Sequence, residues 1–579
     1  MRGRAGSRDE SGESRRLLWT LGIALAAFAV GLAVVSRGFA YELPLAGRPF
    51  LPLALVLAGA FFCWLYAARH FWGKAGRQVR GRDIFWLALL MRLPLLLASQ
   101  PIQETDYYRY LWDGRAMVEN VSPYRHSPAD LDDYRAASQT GPETVPPDAA
   151  ALLAAQDRSP SLETIFERID HRAVPTIYPP VSQAVFALAA RLTPETAPVF
   201  VHLAVLRALV VAFDLGTVLL LLAILRHFDL PAGRAVAYAW CPLVLKEFAN
   251  TSHMDSVAVF FTVAAFLAAA KAWWPGAGSP FWRSPALLLP LSALLLAVAV
   301  LSKWYPLAMA PVFVSLAWRR WRWKTMPVAA LAAAVIAGGH FASRPSTGGN
   351  GSERKTGHDE LSGMRAFLGR WEMNDLIFSV VRENLRPVPE SGKETRPEPW
   401  YAVAPESLRR AWSDSVEWAG RRLGIAGRLP TPDFLGARLF CGGLLAALAA
   451  WLALRRWEGG LDAAPAEAGR ALFLTMAACW YLSATQNPWY WTWALPFVVF
   501  ARSRAWLLVP GFALLYYARF WLIYTFPEPF WRGYDGQRFF DHVVVWVEHL
   551  PMLLAIGWYA LKSKGTGRGI KRPAIASAS

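Results

Sequence analysis

Cysteine is scarce: four in 579 residues, Cys63, Cys241, Cys441 and Cys479. All four fall inside apolar runs, where they read as small fillers; a disulfide framework would place its cysteines in loops, so none is expected. The chain also lacks a glycine-rich phosphate loop, a Walker pattern, zinc-ligand spacing and a serine nucleophile elbow. Those absences argue against nucleotide-driven chemistry. There is no internal repeat of fixed period and no heptad.

What fills the chain instead is hydrocarbon. Hydrophobic residues make up 55% of it, 28 of them Trp, and the mean hydropathy is positive. Apolar runs long enough to cross a ~30 Å hydrocarbon layer recur along its length. The sequence predicts an all-α polytopic membrane protein of about 13–14 transmembrane helices, at 17–36, 50–68, 83–99, 198–224, 234–250, 254–273, 285–302, 304–318, 325–342, 433–454, 467–484, 488–501, 505–522 and 540–561. The run 17–36 is longer than a secretory h-region and reads as an uncleaved anchor.

The net charge of +17 sits in short connections between spans, the positive-inside pattern, and does not point to nucleic acid. Arg69, Lys74, Arg77, Arg80 and Arg82 precede the third span, "RRWRWK" occupies 319–324, and the tail from 562 carries five bases and no acid. Placing these in the cytoplasm makes the spans alternate, provided the short apolar stretch 179–193 is a re-entrant or interfacial helix. The organisation expected is a cytoplasmic tail (1–16), three spans (17–99), a first extracytoplasmic loop (100–178), a transmembrane core (179–342), a second extracytoplasmic loop (343–432), the C-terminal spans (433–561) and a basic cytoplasmic tail (562–579). The first loop holds thirteen acids and seven bases. Loops of this length are usually functional or disordered.

This threading gathers the unusual polar segments on one face: Asp106, "TIYPP" (176–180), "NTSHMDS" (250–256), "SKWYP" (302–306), "WEMND" (371–375), "TQNPWYW" (485–491), Arg519 and "FPEPFWRGYD" (526–535). Ionisable groups near or inside spans are costly and mark pathways or active sites. A helix starting near Thr105 would put Asp106, Arg109, Tyr110 and Asp113 on one face and Tyr108, Leu111 and Trp112 on another, an amphipathic helix at headgroup level. Thr105 and Asp106 could simply cap that helix. Alternatively, a carboxylate there could take the proton from an attacking hydroxyl as a general base. A cation would then stabilise the leaving oxygen of a sugar on a lipid phosphate. Lys303, Arg519, His253 and Arg109 are candidate phosphate-binding cations, although snorkelling explains Lys303 equally well. Lys246 and Glu247 could simply pair, and His253-x-Asp255 is too sparse for a metal site. Tyr110, Tyr178, Asp255, Trp371, Asn374, Asn487, Trp489 and Tyr490 are candidate substrate contacts; "NPWYW" could equally form an interfacial aromatic belt.

In order along the chain, "TDYYRYLWDGRAMVENVSPY", "IYPPVSQAVF", "AWCPLVLKEFANTSHMDSVAVFF", "LSKWYPLAMAPV", "FLGRWEMNDLIFS" and "NPWYWTWALPF" resemble the GT-C glycosyltransferases. The likeness is greatest to glycosyltransferase family 87 and the polyprenol-phosphomannose-dependent mannosyltransferases. The resemblance implies a bundle with an extracytoplasmic active site in the bacterial plasma membrane. It also implies a lipid-linked sugar donor (a polyprenyl-phosphate hexose, mannose favoured), a glycan or glycolipid acceptor and inversion at the anomeric carbon. Many such enzymes use no metal cofactor. The acidic base of the first outer loop maps onto Asp106, with Glu104 as helper or alternative. "NVSPY" departs from the more usual Asn-Pro-Tyr, and an extra pair of N-terminal spans precedes the loop. The competing expectations are a transporter or flippase of lipid-linked sugars, though the two symmetric halves with paired broken helices typical of one are not visible, and an inactive scaffold of the same fold.

Overall fold

The computed structural model describes residues 2–139, 141, 145–274, 284–342, 362–388 and 397–565. Parts of the expected second loop (343–361 and 389–396) and most of the basic tail (566–579) lie outside the described residues. The helices of the bundle include α1 (Arg2–Ser36), α2 (Phe50–His70), α3 (Gly81–Ala98), α4 (Asp106–Val118), α5 (Pro180–Leu192), α6 (Val199–His227), α7 (Asp255–Trp273), α8 (Pro285–Ser302), α9 (Ala310–Trp321), α10 (Thr325–Ala342), α11 (Pro432–Leu454), α12 (Gly460–Leu482), α13 (Tyr516–Thr525) and α14 (Val545–Gly565). Among the described residues eight helical segments are long and apolar enough to cross a membrane. Large apolar side chains such as Leu51, Phe62, Leu97, Phe200 and Leu454 stay exposed on the bundle, as a lipid-facing surface requires. The molecule is an all-α polytopic membrane protein.

Four of the other six expected spans are helical: α3, α9, α10 and α12. The remaining two, 234–250 and 488–501, are not continuous α-helices, and this corrects the sequence expectation. The first is a chain of short turns ending in a π-helical turn, Leu245–Asn250; the second is two 3-10 turns, Pro488–Trp493 and Leu495–Phe500. Pro242, Pro488 and Pro496 remove backbone donors and break the ladder. Irregular backbone is tolerated at membrane depth only where protein surrounds it and satisfies its polar groups. Side chains do so here. Trp64 Nε1 donates to Val236 O at 3.0 Å, Arg92 Nη1 to Ala239 O at 2.9 Å, Arg207 Nη2 to Asn250 O at 2.5 Å and Arg234 Nη1 to Val499 O at 2.9 Å. Arg92 also pairs with Asp214, whose other oxygen accepts from Tyr238, all fully buried.

α5, the short apolar stretch, is a 13-residue helix laid along α4. The two approach closely at Gly114, where any Cβ would stand 2.3 Å from the Phe186 carbonyl oxygen. The second polar loop closes on the first. His171 packs edge-on to Trp371 at 4.7 Å, and an isolated bridge pairs Met373 with Thr485.

Candidate active site

Asp106 opens α4 and is half-buried. Its Oδ2 accepts from the phenols of Tyr178 at 3.2 Å and Tyr110 at 3.4 Å, and those hydroxyls stand 3.2 Å apart. Tyr110 is fixed by stacking on Phe186 of α5, with centroids 4.8 Å apart. Among the described residues Asp106 makes no ion pair, so its charge is oriented without being neutralised. The capping alternative fails at Thr105: its hydroxyl makes no cap bond and donates to Asp170.

The loop that delivers Asp106 is held by a residue far away in sequence. Asn250 accepts from Ile102 N at 3.0 Å and donates to Ser99 Oγ at 2.9 Å and Gln100 O at 2.7 Å. Gln103 sits at φ 64° and is clamped between Arg48 (2.8 Å) and Tyr524 (2.7 Å). Ser252 and Asn374 are also left-handed without being glycine. Backbone strain of this kind collects at functional sites.

A second cluster surrounds Lys303, at the C-terminal end of α8. Its ammonium lies 2.7 Å from Asp255 Oδ2, while Asp255 Oδ1 accepts from Trp493 Nε1 at 2.6 Å. Tyr490 lies under the ammonium at 4.9 Å and stacks on Trp493, which stacks in turn on Tyr305. Next to it, His253 Nδ1 is 3.0 Å from Glu247 Oε2 and the imidazole stacks on Trp489 at 3.9 Å; its Nε2 is buried without a partner. Glu247 also accepts from Tyr517 at 2.7 Å and pairs with Lys246 at 3.3 Å, as the bland expectation for Lys246–Glu247 held. The two clusters are neighbours across α5, whose Ser182 Oγ donates to Ser302 O, next to Lys303, at 2.7 Å.

The other expected residues are distributed around this centre. Arg519 is bound to Asp541 at 3.2 Å. Arg109 turns away to the carbonyls of Asp170 (3.2 Å) and His171 (3.4 Å), an architectural use of its guanidinium. Asn374 donates to Gln486 O at 2.9 Å and Glu548 Oε1 at 3.0 Å, and its own oxygen is buried unpartnered, as is that of Asn487. Trp371 joins the two loops. Glu247, Asn250, Tyr305 and Trp493 lie inside the quoted motifs, yet the distant groups they meet, Tyr517, Ile102, Trp493 and Asp255 in turn, are too far off in sequence to be named from spacing. Among the described residues no group of three His, Cys, Asp or Glu side chains could hold a metal ion.

Burial pushes the Glu104 carboxyl well above the usual range, against the pull of Lys246, and its Oε1 has no partner. Asp113, on the same helix as Asp106, is raised by burial from 3.8 to about 6, although Arg109, Thr176 and Gln183 act against the shift. Gln183 donates to it at 3.1 Å. Below the lower value both folded and unfolded chains hold the proton. Between the two values the unfolded chain releases it first, so stability falls as pH rises, and the full cost remains above pH 6. Asp113→Asn should therefore gain on the wild type by about 2 kcal/mol between pH 4 and pH 7, read from unfolding midpoints in detergent. A difference independent of pH would contradict it.

Residues 17–143, from α1 through all of α4, match the MptA_B family, described as alpha-(1->6)-mannopyranosyltransferase, N-terminal domain. No curated protein and no solved structure matches the chain. The match includes Asp106, Glu104 and the loop that carries them. It covers the N-terminal part only, and it supports a mannosyltransferase activity. Over residues 17–143, then, the chain is similar to the N-terminal domain of the MptA_B mannosyltransferases, in keeping with the GT-C resemblance of its motifs.

Proposed function

We propose that the protein transfers a hexose, mannose favoured, from a polyprenyl-phosphate donor to an acceptor hydroxyl at the extracytoplasmic face of the bacterial plasma membrane. The observation that carries this reading is the state of Asp106: half-exposed, oriented by two phenols, without an ion pair among the described residues, and next to α5, whose Ser182 Oγ donates to Ser302 O beside Lys303 at 2.7 Å. The acceptor oxygen attacks C1 of the hexose and its proton passes to Asp106. The bond from C1 to the phosphate oxygen breaks, and the electron pair leaves with the phosphate. Lys303, 17% exposed at its side chain, offsets that charge. A single displacement of this kind inverts C1. Arg519 and His253 sit behind the phosphate, and Trp489 and Tyr490 supply apolar surface to sugar or isoprenoid. Arg109 holds the loop rather than the donor.

The test is purified protein in vesicles with a polyprenyl-phosphate hexose labelled in the sugar and a membrane glycan extract as acceptor. The proposal expects label in a new glycosidic product. Label that only crosses the bilayer, still on its original lipid, would make the protein a carrier and refute it.

A further inference from the structure

A cavity of about 410 Å³ opens on the other side of the loop that carries Glu104. Its lining includes Glu104 and Thr105 but not Asp106, Tyr178 or Lys303. Three guanidinium groups, Arg48, Arg168 and Arg207, line it together with the hydroxyl-bearing Tyr108, and the apolar wall is built from Leu97, Phe200 and their neighbours on α3 and α6. Leu97 and Phe200 are 78% and 68% exposed, which places that wall at the lipid-facing surface of the bundle.

The charges in this cavity are poorly compensated. Arg168 is paired with Glu42 at 2.7 Å and bonded to Tyr108 at 2.9 Å. Arg48 has only the neutral Gln103 amide, and its buried Nε has no partner. Arg207, 2% exposed, spends its Nη atoms on the carbonyls of Leu95, Leu96, Ser99 and Asn250, and its buried Nε is likewise unpartnered. Neither Arg48 nor Arg207 joins an ion pair among the described residues. A buried guanidinium without a counter-ion is expensive, and a basic pocket between membrane helices is suited to an anionic headgroup. Phosphate oxygens match the planar donor fork of arginine.

We propose that this cavity binds the headgroup phosphate of an anionic glycerophospholipid, with its acyl chains lying against Leu97 and Phe200. The amphiphilic lining favours a bilayer lipid over free phosphate, which would gain nothing from the apolar wall. Separation from Asp106 and Lys303 favours a resident lipid over the sugar donor. The site does not depend on the catalytic reading above.

The test uses the full chain in detergent, followed by native mass spectrometry and thermal unfolding on adding phosphatidylglycerol, phosphatidylcholine, inorganic phosphate or polyprenyl phosphate. Wild type should retain phosphatidylglycerol and unfold at a higher temperature with it, while phosphatidylcholine and inorganic phosphate do neither. Arg48→Gln, in a loop and away from the bundle core, should weaken phosphatidylglycerol binding about tenfold, the loss of one charge-assisted hydrogen bond. Arg168→Gln provides a second variant should the first fold poorly. Equal retention of phosphatidylcholine, undiminished binding in both variants, or displacement of phosphatidylglycerol by polyprenyl phosphate would each overturn the assignment.

Discussion

Asp106→Asn should reduce sugar transfer by between about a hundredfold and ten-thousandfold, the range a positioned general base contributes. Asparagine preserves the shape and can still accept from Tyr178 and Tyr110, so the loop should stay in place. The unfolding midpoint and the Kd for the lipid-linked donor should therefore move little. What is lost is the capacity to take a proton from the acceptor. Tyr178→Phe removes one of two weak bonds to the same carboxylate and should cost far less, because Tyr110 continues to orient it. Loss of donor binding in Asp106→Asn would transfer the residue from catalysis to structure.

The second large effect lies in the bundle. Arg92→Leu should destabilise the protein by about 3–5 kcal/mol, the cost of leaving one member of a buried pair without its partner. Asp214 would then carry an uncompensated charge among fully buried neighbours, and Ala239 O would lose its donor in the broken segment. Arg92→Leu combined with Asp214→Leu should recover part of the loss, since a pair of apolar residues has no stranded charge. Unfolding in detergent, followed by fluorescence of the many Trp side chains, measures both variants against the wild type. A wild-type midpoint in the single variant would show that the pair contributes nothing.

Of the face read from residues 105–113 the fold uses the Asp106–Tyr110 adjacency, but α4 is not the amphipathic headgroup helix expected. Tyr110 and Asp113 on one face and Tyr108, Leu111 and Trp112 on the other are all buried, because protein packs on both sides of it. Asp106 and Tyr110, four positions apart, meet at the same carboxylate oxygen. Spacing along one helix is legible because its geometry is fixed at 3.6 residues per turn. "TIYPP" brings Tyr178 to Asp106 from 72 positions away. The partner itself could not be chosen from sequence, as no periodicity links the two segments.

Hydropathy failed where polarity is hidden by average composition. Segments 234–250 and 488–501 look like spans because their side chains are apolar, yet their backbones are irregular and depend on Trp64, Arg92, Arg207 and Arg234 from other elements. Read along the chain, Arg92 is an isolated charge that weakens a span. In three dimensions it closes one. Asn250 shows the same limit: its motif attracted notice for His253 and Asp255, while its three bonds to the loop before Asp106 join residues about 150 positions apart.

The most direct test of the central claim is a structure of the protein bound to a polyprenyl-phosphonate hexose that cannot be transferred. The account predicts the anomeric carbon facing Asp106, with the phosphonate beside Lys303 and space for one hydroxyl between the carboxylate and the sugar. A hexose held elsewhere in the bundle, with Asp106 facing only solvent, would contradict it.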